Sequence, residues 1–246
     1  MMNIDFVIIS NAKNKELSDI TTNCIQSLLN SECSSIFKFK IIVIESNLTQ
    51  KPYDFTQTIY TEDKFGYNKF LNIGLKYCAS EFVCFCNNDL VFQKNWLTEI
   101  MKISVIRKDI MSFSSQDPWL HKQYNDLDLN QKYIEGYDKM KIFTGWFFMI
   151  KRELLSTIGL FDENLEFWYC DDDYINTLRK FDIKHALVTK SIVKHLGSHT
   201  LKLTQNTKEY ISLTSKQYLY FDYKWHHNSK FIYNSKRLWF FFKNYL

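Results

Sequence analysis

Phe82-Val83-Cys84-Phe85-Cys86-Asn87-Asn88-Asp89 is the stretch on which the fold turns. Its first five residues are all apolar, a run of strand length rather than helix length. The run then breaks abruptly into two amides and a carboxylate. A strand of uniformly apolar residues belongs to a sheet covered on both faces. In such sheets ligands collect at the carboxyl ends of the strands, so the polar residues that follow each strand are the ones to read.

The same pattern recurs on either side. Ile4–Ser10 reads as a strand ending at Asn11, and a helix follows over Glu16–Leu29 with Ile20, Cys24, Ser27 and Leu28 inward. Phe39–Glu45 is a second strand, and a third short one lies near Thr56–Tyr60. Tyr67, Phe70, Leu71, Gly74, Leu75 and Cys78 recur at helical spacing, as do Trp96, Leu97, Ile100, Met101 and Ser104 ahead of a strand at Ile110–Phe113. Strand and helix alternate, and parallel neighbours require crossover connections. The alternation predicts an α/β fold: one Rossmann-like, mostly parallel sheet with helices on both faces.

Ser114 to Lys141 has no clear period and reads as an acceptor-facing flap or as disorder. Phe143–Lys151 is dense in aromatics, a short helix ends near Gly159, and Cys170-Asp171-Asp172-Asp173-Tyr174 opens a helix with Tyr174, Ile175 and Leu178 inward. The expected domain spans 1–205, with a nucleotide-binding half at 1–110 and an acceptor-binding half at 111–205. A C-terminal helical extension covers 206–246.

Composition narrows the function classes. The chain has 246 residues, 46% of them hydrophobic, enough for one large domain with a sizeable core. A net charge of +4 suits an anionic substrate or an anionic membrane face, and is too weak to argue for nucleic acid. The six cysteines form no Cys-x-x-Cys pair, which points to buried thiols in a reducing compartment rather than zinc. The N-terminal apolar run lacks a basic flank, and no run reaches the roughly 18 apolar residues that span a bilayer. The expectation is a cytoplasmic protein, soluble or peripheral at the inner face of a membrane. No Gly-x-Gly-x-x-Gly follows the first strand, and neither a phosphate-binding P-loop nor a Gly-x-Ser-x-Gly elbow occurs.

Three segments carry chemistry. A carboxylate just after a buried strand, as at Asp89, sits where magnesium or manganese and a diphosphate can meet. The alternative is an Asx-type turn closing the strand. Asp171, Asp172 and Asp173 repel one another and need compensation from a cation, from water or from a helix N-terminus. One of them is a candidate base; a solvated first helical turn is the other reading. Asp173 points a different way around the helix from Asp171, so the three do not share one role. In His195-Leu196-Gly197-Ser198-His199 either imidazole is a candidate ligand, although Gly197 makes the segment a poor helix.

Together these segments resemble family 2 glycosyltransferases of the GT-A fold, especially rhamnosyltransferase-like members. Asp5–Ser10 looks like the family's opening strand, with Ser10-Asn11-Ala12-Lys13-Asn14 replacing the usual Pro-Thr-Tyr-Asn. Ile41–Asn47 is similar to the strand whose terminal acid contacts base or ribose, which gives Glu45 that role. Gly66-Tyr67-Asn68-Lys69-Phe70-Leu71-Asn72-Ile73-Gly74 matches the helix flanking the nucleotide pocket, implicating Asn72. Asn87-Asn88-Asp89 resembles the Asp-x-Asp motif in an Asn-x-Asp form. The resemblance makes Asp89 the main metal or diphosphate residue, with Asn87 nearer the ribose and Asn88 between them. Gly145-Trp146 falls in the acceptor segment, as does Asp173. Counting back from Arg179 places Asp171 at the base position, with Asp172 the candidate if the register shifts by one. His195 fits the histidine that completes the metal or phosphate site.

The resemblance covers roughly residues 4–200 and implies an inverting sugar transfer. The implied donor is a UDP-, dTDP- or GDP-sugar, the implied cofactor manganese or magnesium, and the implied acceptor a glycan or lipid-linked oligosaccharide of surface polysaccharide synthesis. Glycosylation of protein or of modified DNA by a viral enzyme is a competing reading, as is a non-catalytic nucleotide- or glycan-binding module. At 230–246, aromatic and basic residues fall on different parts of a helical wheel. That segment is expected either to lie on an anionic membrane or to pack on its own domain or a second subunit, as in a homodimer.

Overall fold

The computed structural model describes residues 1–124, 132–197, 214–226 and 229–245. Its centre is a mixed sheet in the order β3-β2-β1-β4-β8-β6-β9-β5, with β7 also paired to β9. The strands are β1 (Met2–Ser10), β2 (Phe37–Glu45), β3 (Gln57–Tyr60), β4 (Phe82–Asn87), β5 (Leu90–Phe92), β6 (Ile110–Gln116), β7 (Tyr133–Glu135), β8 (Phe147–Lys151) and β9 (Lys184–His195). The block β3-β2-β1-β4 is parallel throughout, β8 runs antiparallel to both its neighbours, and β6 and β9 are again parallel.

Helices cover both faces: α1 (Lys15–Leu29) and α3 (Trp96–Ile106) on one, α2 (Tyr67–Leu75) and α5 (Cys170–Lys180) on the other. Successive strand residues feed opposite cores. Ile4, Phe6, Ile8 and Cys84 pack with Leu28 and Trp96, whereas Val7, Ile9, Val83 and Phe85 pack with Phe70, Leu71 and Tyr174. That is why the strands read as unbroken apolar runs rather than as alternations. Asn14 caps α1 by accepting from the Leu17 N–H at 2.9 Å. Gly74 lets α2 lie directly on β1, since a Cβ there would come within 2.3 Å of Val7 Cγ1.

The short helix α4 (Leu155–Ile158) ends at Gly159, whose positive φ of 75° suits a glycine. The C-terminal part forms α6 (Ser215–Trp225) and α7 (Lys230–Tyr245). Phe221 of α6 packs with Leu165 and Cys170, so this helix joins the body of the protein.

Four strands escaped the sequence reading: β5 and β7, of three residues each, β8 within the aromatic-rich segment, and the twelve-residue β9. Part of the Ser114–Lys141 segment is ordinary structure, because β6 continues to Gln116 and a 3₁₀ turn covers Lys122–Tyr124. The remainder of that segment at 125–131, the helix start expected at Asn206, and His199 lie outside the described residues. All six cysteines are free; Cys24, Cys84, Cys86 and Cys170 are buried, and Cys33 is exposed.

Candidate active site

The parallel register brings three strand ends level. Ser10 lies opposite Glu45, and Ile9 opposite Asn87. Beneath this edge runs a hydrogen-bond network. Ser10 Oγ lies 3.1 Å from Thr21 Oγ1 and 3.2 Å from the Tyr53 hydroxyl, and the Asn88 amide donates to Thr21 Oγ1 at 2.8 Å. Glu45 accepts from the Ala12 and Asn47 N–H groups at 3.1 and 2.8 Å and from the Tyr53 hydroxyl at 2.9 Å. Glu45 has no solvent exposure and Ser10 almost none. Both are tied into the loops after β1 and β2 by these bonds. Asn11 and Asn88 stay partly open at the same edge.

Asn72 is likewise held by protein partners. Its amide donates to the Phe161 carbonyl at 2.8 Å and to Glu163 at 2.9 Å, and its oxygen accepts from the Phe161 N–H at 3.1 Å. Buried and saturated, it clamps the Gly159–Glu163 loop onto α2.

Asp89 lies in the two-residue link between β4 and β5, and His195 ends β9. The register Leu90↔His195 and a 3.0 Å bond from the Leu196 N–H to the Asp89 carbonyl lock the two segments together. Asp89 Oδ1 comes within 3.2 Å of His195 Nε2. Both atoms are buried, and neither makes a hydrogen bond of regular geometry to a protein group. Two buried polar atoms brought together without regular hydrogen bonds suit a ligand site. A carboxylate oxygen and an imidazole nitrogen suit a divalent cation that takes its other oxygens from substrate and water. No cluster of three or more His, Cys, Asp or Glu able to hold a metal occurs among the described residues. The Trp146 indole stacks on the His195 ring at 5.4 Å and 9°, fixing its plane.

Sequence reasoning passed over Asp117. This buried carboxylate accepts from the His195 N–H at 2.7 Å and from the Trp119 and Leu120 N–H groups at 2.8 Å each. It ties the end of β9 to the turn after β6. Nothing in the sequence marks it beyond its place just past β6.

The acidic helix start resolves into three separate environments. Tyr169 precedes α5 with φ 67°, a left-handed conformation uncommon for a bulky residue and more frequent at functional sites. Asp171 turns toward Gly145, whose N–H hydrogen-bonds its carboxylate. Burial raises the Asp171 pKa above the ordinary carboxylate value; Lys139 and the Gly145 N–H pull it back, and Asp172 pushes it further up. Asp172 pairs with Lys139 at 2.6 Å. Asp173 is held by Lys224 and by the Trp225 indole N–H, each at 2.7 Å, and Lys224 also pairs with Asp162 at 2.7 Å. Asp173 thus ties α5 to α6.

Asn87, Gly145, Trp146, Asp171 and His195 line one open cleft of ≈ 730 Å³. Tyr67 lines it too and donates to the Gly145 carbonyl. Trp119 and Trp168, 75% and 38% exposed, add aromatic surface to the same cleft. One wall therefore carries a raised-pKa carboxylate and another carries paired metal-ligand types.

The sequence profile described as Glycosyl transferase family 2 matches residues 7–159. No curated protein matches the sequence. Among solved structures, the fold is similar to the mannosyltransferase PcManGT from Pyrobaculum calidifontis, solved with GDP-Man and Mn2+. The TM-score there is 0.64 at 13% identity, covering 92% of this chain and 65% of that one. It is also similar to GalNAc-T7, solved with UDP, GalNAc and Mn2+, with TM-score 0.60, 13% identity and coverage of 79% and 44%. S. aureus TarS, residues 1–349, gives TM-score 0.56 at 14% identity, with coverage of 78% and 59%. The chain thus spans between 44% and 65% of the length of these three chains.

Proposed function

This chain belongs to glycosyl transferase family 2 and has the GT-A fold, and on that premise we propose that it moves one sugar from a nucleotide-sugar donor to an acceptor hydroxyl, inverting the anomeric centre. The observation that carries this reading is the shared cleft: Asp171, Asn87 and His195 line the same space, and Asp89 Oδ1 lies 3.2 Å from His195 Nε2.

Asp171 takes the proton of the acceptor hydroxyl as that oxygen bonds to the anomeric carbon. The bond from that carbon to the diphosphate oxygen breaks on the opposite face, and the nucleoside diphosphate departs with the electron pair. The raised pKa of Asp171 suits a base, because a more basic carboxylate accepts a proton more readily. Asp89 and His195 would hold manganese or magnesium, which offsets charge on the departing diphosphate when bound. The Mn2+ in the PcManGT and GalNAc-T7 structures supports that cofactor class, and their GDP-Man and UDP support a nucleotide donor. Trp119 and Trp168 give the acceptor side flat apolar surfaces on which sugar rings can lie. The acceptor is a glycan or a lipid-linked oligosaccharide of surface polysaccharide synthesis, glycosylated on the cytoplasmic side.

A thermal-shift series with UDP-, dTDP- and GDP-sugars plus manganese tests the donor half. One nucleotide class should stabilise the protein, by about 2.7 kcal/mol at a concentration 100 times its Kd. The same donor should be slowly hydrolysed without acceptor. Stabilisation with no hydrolysis would favour a binding module, and no response to any donor would refute the reading.

A further inference from the structure

The excess charge of this chain sits in one helix. The chain has 31 Lys and Arg against 27 Asp and Glu, and Lys230, Lys236, Arg237 and Lys243 of α7 equal that whole excess. No acidic residue lies in Lys230–Tyr245, so the rest of the chain is electrically balanced.

Several apolar side chains of α7 are exposed. Phe231, Ile232, Leu238, Trp239 and Phe242 are between 44% and 80% exposed. At about 100° per residue they fall within one arc of roughly 120°. Lys236 borders one edge of that arc, and Lys230 and Arg237 lie past the other. Basic residues flanking an aromatic arc are the arrangement of a helix lying in a membrane interface, where long cationic side chains reach the headgroups and the rings enter the acyl boundary. No described helix is long and apolar enough to cross a membrane.

We propose that α7 binds an anionic lipid surface, its aromatic arc downward and Lys230 and Arg237 on the headgroups, while Lys236 ties the helix to the body. Charge complementarity selects this occupant: a helix with four basic residues and no acidic one repels a second copy of itself and attracts phosphate headgroups. The attachment is transmitted inward. Lys236 pairs with Asp222 of α6 at 2.9 Å, and Tyr233 stacks on Tyr223 at 4.6 Å. Helix α6 in turn holds Asp162 and Asp173 through Lys224. The surface-bound helix therefore sets the orientation of the cleft relative to the bilayer. This surface is independent of the proposed sugar transfer, since lipid binding requires no donor.

The test is co-sedimentation of the full chain with vesicles. Equal parts phosphatidylglycerol and phosphatidylcholine should pellet it at about 0.1 M salt, and raising salt to about 0.5 M should weaken this. Pure phosphatidylcholine should pellet little. Lys230→Glu with Arg237→Glu should lower the partition at least roughly tenfold. Phe231→Ser with Leu238→Ser and Phe242→Ser should abolish the part that resists salt, with the melting temperature of the body unchanged. The proposal is overturned if the full chain stays in solution with the anionic vesicles or if both variants pellet as the parent does. It is equally overturned if the serine variant converts a dimer to a monomer without altering partition, which would make a second copy the occupant.

Discussion

Gly145 and Asp171 are fitted to one another: a Cβ built on Gly145 would lie 1.9 Å from Asp171 Oδ1. The glycine is there because the carboxylate occupies the space its side chain would need. It also supplies the N–H that hydrogen-bonds that carboxylate.

Gly145→Ala should therefore displace Asp171 without touching Asp89 or His195. General-base help is typically worth about 10²–10⁴-fold in rate. Turnover should fall by a large part of that range while the donor-induced thermal shift stays near the parent value. Equal loss of donor binding would show that the substitution damages the cleft generally.

Asp171→Asn should stabilise the fold at neutral pH. Burial raises the folded pKa of Asp171 above its unfolded value, so the charged form is disfavoured in the folded state. The penalty is absent below the unfolded pKa and grows as pH rises from there to above the folded pKa. Replacing the carboxylate with a neutral amide removes it. Thermal melts at pH 7 should place the variant above the parent, and the gap should close toward about pH 4.

Lys224→Met tests the tie between α6 and the acidic helix. Removing one partner of a buried pair costs about 3–5 kcal/mol, and the partial exposure of Lys224 lowers this to about 1–3 kcal/mol. Burial already raises the Asp173 pKa, and Lys224 opposes that rise. Without the lysine Asp173 becomes easier to protonate, so the deficit in urea unfolding should be largest near neutral pH and shrink in acid.

The N-terminal half of the fold was legible because its strands are buried on both faces, which writes apolar runs such as Phe82–Cys86 into the sequence. The strand β9 was not, because Thr189, Lys190 and Ser191 interrupt its apolar run. The spacing of Asp171, Asp172 and Asp173 showed that they diverge, yet not toward what. Lys139 and Lys224 come from 32 residues or more away in the chain, roughly, and only the fold brings them to the helix. Motif spacing singled out Glu45 and Asn72 but names none of the partners that the fold gives them, Tyr53 for one and Phe161 and Glu163 for the other. Asp117 sat in a stretch without period, where no pattern marks one carboxylate above another.

The most direct measurement compares donor binding and sugar transfer in the parent chain and in Asp171→Asn. The account predicts that the variant keeps the manganese-dependent donor shift and loses turnover by about 10²-fold or more. A variant that transfers sugar as fast as the parent would contradict it, since no base would then be acting from that wall of the cleft.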